Sequence, residues 1–295
     1  MSLSHPHPGY AFIPLPSSVD RQHRPHATHD RRHPGTHSGS LTLTWLLEQP
    51  VHVGSGFKAL VPDEPVVNAA RSDPGRAAPR STVLVRQHVR LGAIPCVPGS
   101  SLKGVLRARY EAITRSCATA PGGRHASRKS ASSSFGSTAR ARLEDSALNE
   151  PAFHSGCNAK HGLLCPACAL FGRLDLRSRL VMTDALPDTA AVEHRLMPAQ
   201  FEPRLHHVGE FTPEDDHQGP LLRMTRLFGR KFAVGMDERP PPREERGKQP
   251  PAKQLVEAIP AGTHLQQEIR FLNLTDADLA GLLAVLGHEP KSRVK

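Results

Sequence analysis

Three cysteines stand close together as Cys157-x7-Cys165-Pro-Ala-Cys168. A Cys-x2-Cys knuckle presents two thiolates from one tight turn, and Zn2+ takes four such ligands in a tetrahedron at about 2.3 Å. Cys157 supplies a third thiolate, and the fourth ligand is open among Cys117, His154 and His161. Cys117 is favoured, because it would pin the far end of the preceding helix to the knuckle. A site closed by four protein ligands is structural. The competing readings are free buried thiols and a redox pair; a third Cys nearby and no thioredoxin-like strand before the motif speak against the redox pair.

The second constellation is Pro98-Gly99-Ser100-Ser101-Leu102-Lys103-Gly104. A glycine turn, two hydroxyls and a lysine at a helix start can hold an anion, because unpaired backbone N–H groups point outward there. The spacing is not that of a Walker A loop. An ordinary helix capped by Ser100 or Ser101 accounts for the same residues. Gly54 and Gly56 in VHVGSG permit a turn or close approach by another chain.

These residues need elements to place them. Leu41, Leu43 and Trp45 alternate with Thr42 and Thr44, which predicts a strand over 41–49. Residues 58–82 are rich in Pro, Ala and Arg and predict a long loop, and 81–91 a strand or hairpin arm. After Pro98-Gly99, Leu102, Val105, Leu106, Tyr110 and Ile113 form the apolar stripe of a helix. Residues 112–142 contain no acidic residue, which predicts a flexible basic loop. A strand at 179–186, an irregular stretch at 187–254 and an alternating strand at 263–274 follow. The helix at 275–287 has Thr275 as N-cap, Asp278 at the third position and Gly287 at its stop. Residues 17–40 read as a disordered arm, preceded by GYAFIPLP, which Pro14 and Pro16 keep extended. The order strand, helix, strand, strand, helix is an α+β, ferredoxin-like unit lacking its closing strand.

Composition narrows the function. The chain has 295 residues, with 38 Lys plus Arg against 28 Asp plus Glu, a net charge of +10. That surplus suits a polyanion, nucleic acid first. No apolar run approaches the roughly 18 residues of a membrane span. The opening residues lack the pattern of a secretory signal. Five cysteines, three of them clustered, fit a metal site in a reducing cytoplasm better than a disulfide framework.

VPGSSLKGVLRARYE (97–111) resembles the signature helix of the RAMP superfamily, the CRISPR-associated backbone subunits that hold guide RNA in type III effectors. Residues 41–49 with VHVGSG are similar to that family's first strand and glycine loop. Cys157 with CPACALFG (165–172) resembles its zinc-bearing insertion, and RLVMTDA (179–185) the strand after it. GRKFAVG (229–235) and PGYAFIPLP (8–16) resemble motifs of a branch related to the single-chain effectors. The resemblance covers about residues 8–18 and 41–287.

Composition marks a Pro/His-rich arm over 1–40, and the resemblance implies a ferredoxin-like (RRM-like) palm over 41–295. The palm would carry a basic loop and zinc knuckle at 117–170 and a thumb-like insertion at 187–254. By the same resemblance, crRNA, target RNA and other CRISPR effector subunits are the partners, in antiviral defence. Gly54, Gly56, Gly99, Ser100, Ser101, Lys103 and Arg107 would then contact RNA. Some relatives cleave target RNA through an Asp on the loop after the first strand. Asp63 in Pro62-Asp63-Glu64-Pro65 is the best match, and Mg2+ or Mn2+ would serve such an endoribonuclease. The family closes with a glycine-rich loop and a final strand, where this chain has HEPKSRVK. The alternative is a zinc-stabilised RNA-binding protein outside CRISPR, without catalysis.

Overall fold

A computed structural model describes residues 10–62, 82–117, 140–143, 157, 162–173, 175–197, 209–216, 219–227, 229–233 and 254–287. The chain enters through β1 (Tyr10–Pro14), β2 (Gln22–His23) and a 3-10 turn at Pro25–Ala27, then forms β3 (His37–Leu46), β4 (Gly54–Pro62) and β5 (Thr82–His88). A hairpin of β6 (Arg90–Leu91) and β7 (Ile94–Pro95) leads into helix α1 (Gly99–Ile113). Next come β8 (Arg140–Leu143), β9 (Leu163–Leu164) and the short helix α2 (Pro166–Phe171). Strands β10 (Leu180–Met182), β11 (Leu186–Pro187), β12 (Glu193–Met197) and β13 (Gly209–Asp216) follow. After β14 (Gly219–Leu227), β15 (Gly229–Ala233) and β16 (Gln254–Ala258) the described chain ends with β17 (His264–Leu274) and helix α3 (Asp276–Leu286).

The central sheet is built on β17, which pairs antiparallel with β3 on one side and with β10 and β11 on the other. The alternation read in β3 is the alternation observed: Leu41, Leu43 and Trp45 are half-buried against the core, and Thr42 and Thr44 are exposed. Helices α1 and α3 bring Leu106, Tyr110, Leu282 and Val285 onto Ile269, Leu274 and Leu180. Tyr110 meets Phe171 of α2 edge to face, centroids 5.5 Å apart. Thr275 and Asp278 form the expected capping box, and Gly287 ends the helix in the left-handed region. Among the described residues no strand follows α3, and no helix is long and apolar enough to cross a membrane.

Four stretches differ from the sequence reading. The first is 187–254, expected to be irregular, where β12, β13, β14 and β15 form because each finds an antiparallel partner: β12 pairs with β16, β13 with β14, and β15 with β1. Residues 58–62 are strand, not loop, because Ala59 and Val61 turn inward and Val61 packs against buried Val85 and Leu255. The resulting sheet runs β12-β16-β5-β4. Within the expected basic loop, 140–143 pair in parallel with β14, which pairs antiparallel with β13. The arm is packed rather than disordered. β2 pairs with β9, Ala27 is buried, and β1 pairs with β15.

Asn273 fastens that arm from the far end of the chain. It sits at φ 55, accepts from the His33 N–H (3.2 Å), and donates to the carbonyls of Thr28 (3.3 Å) and Arg31 (2.8 Å). Composition carries no signal of a partner 240 residues away. Beside it lies a buried ion pair. Arg179 donates to Asp278 Oδ2 (3.0 Å) and to the carbonyls of Ala169 (2.8 Å) and Asn273 (2.5 Å). One guanidinium thereby joins α2, β17 and α3.

Candidate functional site

Cys165 is the N-cap of α2, and Pro166 begins the helix with its fixed φ and missing N–H. That turn aims Cys165 and Cys168 at one point. Cys117, three residues beyond the Thr114 cap of α1, and Cys157 complete a buried quartet whose sulfurs lie within 4.8 Å of one another. Cys117 Sγ is 3.5 Å from both Cys165 Sγ and Cys168 Sγ, and 3.9 Å from Cys157 Sγ. A tetrahedron of thiolates about 2.3 Å from one ion has edges of about 3.8 Å, so the four fit Zn2+. Cys117 is the member the helix end brings in. His154 and His161 lie outside the described residues.

The surroundings suit a thiolate cluster. The Cys165 N–H faces Cys157 Sγ at 3.4 Å and the Cys168 N–H faces Cys165 Sγ at 3.5 Å. Sharing of protons among the sulfurs draws the Cys157 thiol down to about 6, chiefly through Cys117, and pushes Cys117 up. Four thiolates on one divalent ion leave a net negative charge, and arginines ring the site. Arg107 places Nη2 4.0 Å from Cys168 Sγ and donates to the Gly172 carbonyl (3.0 Å). Arg173 donates to the Cys157 carbonyl, and Arg230 to the Ser116 carbonyl (2.9 Å). Buried Glu111 binds Arg107 Nε at 2.8 Å and lies 3.7 Å from Arg230 Nε. Burial pushes the Glu111 carboxyl up, against the pull of both arginines. The arm closes the side of the knuckle, for Arg24 donates from Nε to the Leu164 carbonyl (3.0 Å).

At the other end of α1 the expected serine cap is absent. The helix begins at Gly99 with Pro98 as N-cap and no side-chain capping bond. The reason is tertiary. A Cβ on Gly99 would stand 2.5 Å from the carbonyl oxygens of Met182 and Thr183, so only glycine admits the strand there. The Gly99 N–H is taken by the Asp184 carboxylate at 2.9 Å. Ser100 and Ser101 are exposed beyond it. Lys103 is half-buried, with Nζ on the Leu180 carbonyl at 3.0 Å; burial, then the Arg107 charge, lower its pKa.

The sequence matches the RAMP superfamily over residues 47–288. The chain belongs to the RAMP superfamily. Among solved structures, this RAMP chain is similar to a chain of a "Type IV-B CRISPR Complex", with 17% identity, a TM-score of 0.31 and coverage of 84% of this chain and 80% of that one. No curated protein matches it. The matched range spans α1, the four cysteines and, of the central sheet, β10, β11 and β17.

Within the RAMP chain, the four cysteines come together and the other candidates spread out. Gly54 opens β4 opposite His88, and Gly56 lies at a bulge in the same strand with φ 87. Gly99, Ser100, Ser101 and Lys103 share the start of α1, whereas Arg107 reaches to the cysteine cluster. Asp63 falls outside the described residues. Residue-by-residue reading passes over Glu111, Arg173, Arg179, Asp184 and Arg230. The available signal was that Arg179, Asp184 and Arg230 stand in RLVMTDA and GRKFAVG, segments that resemble family motifs.

Proposed function

We propose that this chain is a CRISPR effector backbone subunit that binds guide crRNA along its sugar-phosphate spine and positions complementary target RNA, in an assembly of the type III kind. The observation that carries the reading is membership of the RAMP superfamily across residues 47–288 in a chain of net charge +10. A guide of any sequence must be held through phosphates, which asks for cationic field and exposed donors rather than base readout. Ser100 and Ser101 offer exposed hydroxyls at the start of α1, and Gly104 leaves open space beside them. Lys103 contributes charge from behind, and the zinc-tied cysteines brace the other end of the same helix. On this reading the central sheet with α1 and α3 is a ferredoxin-like palm, and 187–254 its thumb-like insertion.

Target cleavage is the finer part of the proposal. Asp63 follows β4 directly, and with Mg2+ or Mn2+ it would act on target RNA paired to the guide. The test is to express the protein beside its native neighbours and sequence the RNA that copurifies. A uniform set of short RNAs sharing one 5′ tag supports the reading; heterogeneous cellular RNA overturns it in favour of an RNA-binding protein outside CRISPR. If assemblies carrying Asp63→Ala cut complementary RNA at the wild-type rate, Asp63 is not the catalytic group.

A further inference from the structure

Strands β1 and β15 form a two-stranded ribbon that pairs with no third strand among the described residues. A lone antiparallel pair is marginally stable in water, so something else must hold it. The apolar core does not, for none of the ribbon's described side chains is among the buried apolar ones. What enters the interior from the ribbon is Arg230. Its side chain is only 9% exposed, and it donates to the Ser116 carbonyl at 2.9 Å, one residue before Cys117. The hydroxyl of the same Ser116 accepts from the Ala167 N–H at 3.0 Å, between Cys165 and Cys168. Arg230 thus fastens the ribbon to the residue that ties Cys117 to the knuckle.

The charge of Arg230 is short of a partner. Among the described residues its ion pair is with Glu111, 3.7 Å from Nε, and Glu111 is already engaged by Arg107 Nε at 2.8 Å. Arg230 Nε itself is buried without a hydrogen bond. Arg173, the other cation at the site, has Asp175 for itself. Two enclosed guanidiniums therefore share one carboxylate, and a buried cation left without a counter-charge is costly. The balancing charge lies in the sulfurs. Four thiolates around one divalent ion are net negative, whereas four protonated thiols are neutral. Burial lowers the Arg230 pKa, and the charges of Glu111, Cys117 and Cys165 act against it.

We propose that Arg230 couples the four-cysteine site to the β1–β15 ribbon, so that docking of the ribbon depends on the metal. With zinc bound, the thiolate charge holds the guanidinium, and the guanidinium holds the Ser116 carbonyl and with it Cys117. With zinc gone and the thiols protonated, Arg230 is an enclosed cation lacking its counter-charge; it turns out to water and the ribbon leaves with it. Arg230 is then a positioning residue of the metal site, not a ligand, and the coupling holds whether or not the chain binds RNA.

The test uses the full-length chain and zinc itself. Amide exchange is followed in Tyr10–Pro14 and Gly229–Ala233, with the β3–β17 pair as internal reference, before and after EDTA removes zinc under reductant. Removal should abolish protection in the ribbon and spare β3–β17. Arg230→Met keeps the stem and drops the charge. It should lower zinc affinity about 10–100-fold in a chelator competition, as loss of an outer partner of a metal ligand does, and leave the ribbon unprotected even with zinc bound. Arg230→Lys, which restores the charge without the planar fork, should recover part of both effects. Where EDTA loosens β3–β17 as well, the zinc-loaded Arg230→Met protein decides, and an unprotected ribbon beside an intact β3–β17 pair supports the coupling. Ribbon protection unchanged by zinc removal, or a zinc affinity of Arg230→Met equal to the wild type, overturns it.

Discussion

Replacing Arg179 by Met tests how the core is tied together. The arginine is fully enclosed, and its guanidinium serves Asp278 and the carbonyls of Ala169 and Asn273. Met fills the space of the stem but leaves a buried carboxylate without its cation, which costs about 3–5 kcal/mol when one partner of a buried pair is removed. Asp278→Asn strands the opposite charge and should cost a similar amount. In the double variant both charges are gone, and what remains is chiefly the two carbonyls without donors, about 1–3 kcal/mol for each group left unsatisfied. The double variant should therefore be clearly more stable than the sum of the singles implies, with a coupling of about 3 kcal/mol. Urea unfolding of all four proteins gives the cycle, provided the dependence on denaturant is common to them. Additivity within about 0.5 kcal/mol would refute the reasoning, because it would mean that the two groups do not act as a pair.

Cys165→Ser should release one zinc per chain on elemental analysis and expose the knuckle to proteolysis; unchanged metal content would sink the four-cysteine site. Gly99→Ala should destabilise by about 1–3 kcal/mol, because the clash is with backbone that cannot rotate away. A melting temperature equal to the wild type would show that β10 has room to move. Acid should weaken the protein through His88. Its Nδ1 accepts from the Val53 N–H (3.2 Å), so Nε2 donates to the Cys96 carbonyl (2.9 Å), and the buried ring has no place for a second proton. Burial holds its pKa below the ordinary 6.5, and the charges of His52 and Arg90 act in the same direction, against Glu257. The neutral ring's contribution is therefore complete above 6.5 and is lost as pH falls through that value toward the lower folded one. Melting curves of wild type and His88→Gln from about pH 7.5 to 5 should diverge, the wild type falling more steeply; parallel curves would remove His88 as the cause.

What could be read in advance was local. The Thr275 and Asp278 box, the alternation in β3 and the Cys-x2-Cys knuckle are each complete within a few residues, so spacing alone reveals them. The fourth sulfur was legible only because a helix predicted to end near Cys117 had to finish somewhere useful. What stayed hidden depends on distant partners. Ser100 satisfies every local rule for a cap, yet the helix starts earlier because Gly99 lies against the backbone of Met182 and Thr183 and takes Asp184 as its acceptor. The arm has a composition that suits disorder, and Asn273 overrides it with hydrogen bonds from another part of the chain. Arg107 was readable only as a cation on the helix; that its guanidinium lies between Glu111 and a cysteine sulfur depends on residues 4 and 61 positions away.

The pairing of β3 with β17 bears on how the protein is made. Thr44 and Gln266, joined at 3.1 Å, are 222 residues apart. Among the described residues, β3 has no other strand beside it. A nascent chain leaving the ribosome therefore carries β3 without its strand partner until residues 264–274 have emerged. Long-range pairing of this kind folds slowly and leaves apolar surface exposed meanwhile. Translation speed and chaperone supply, more than the equilibrium stability of the finished fold, should thus govern the yield of this protein.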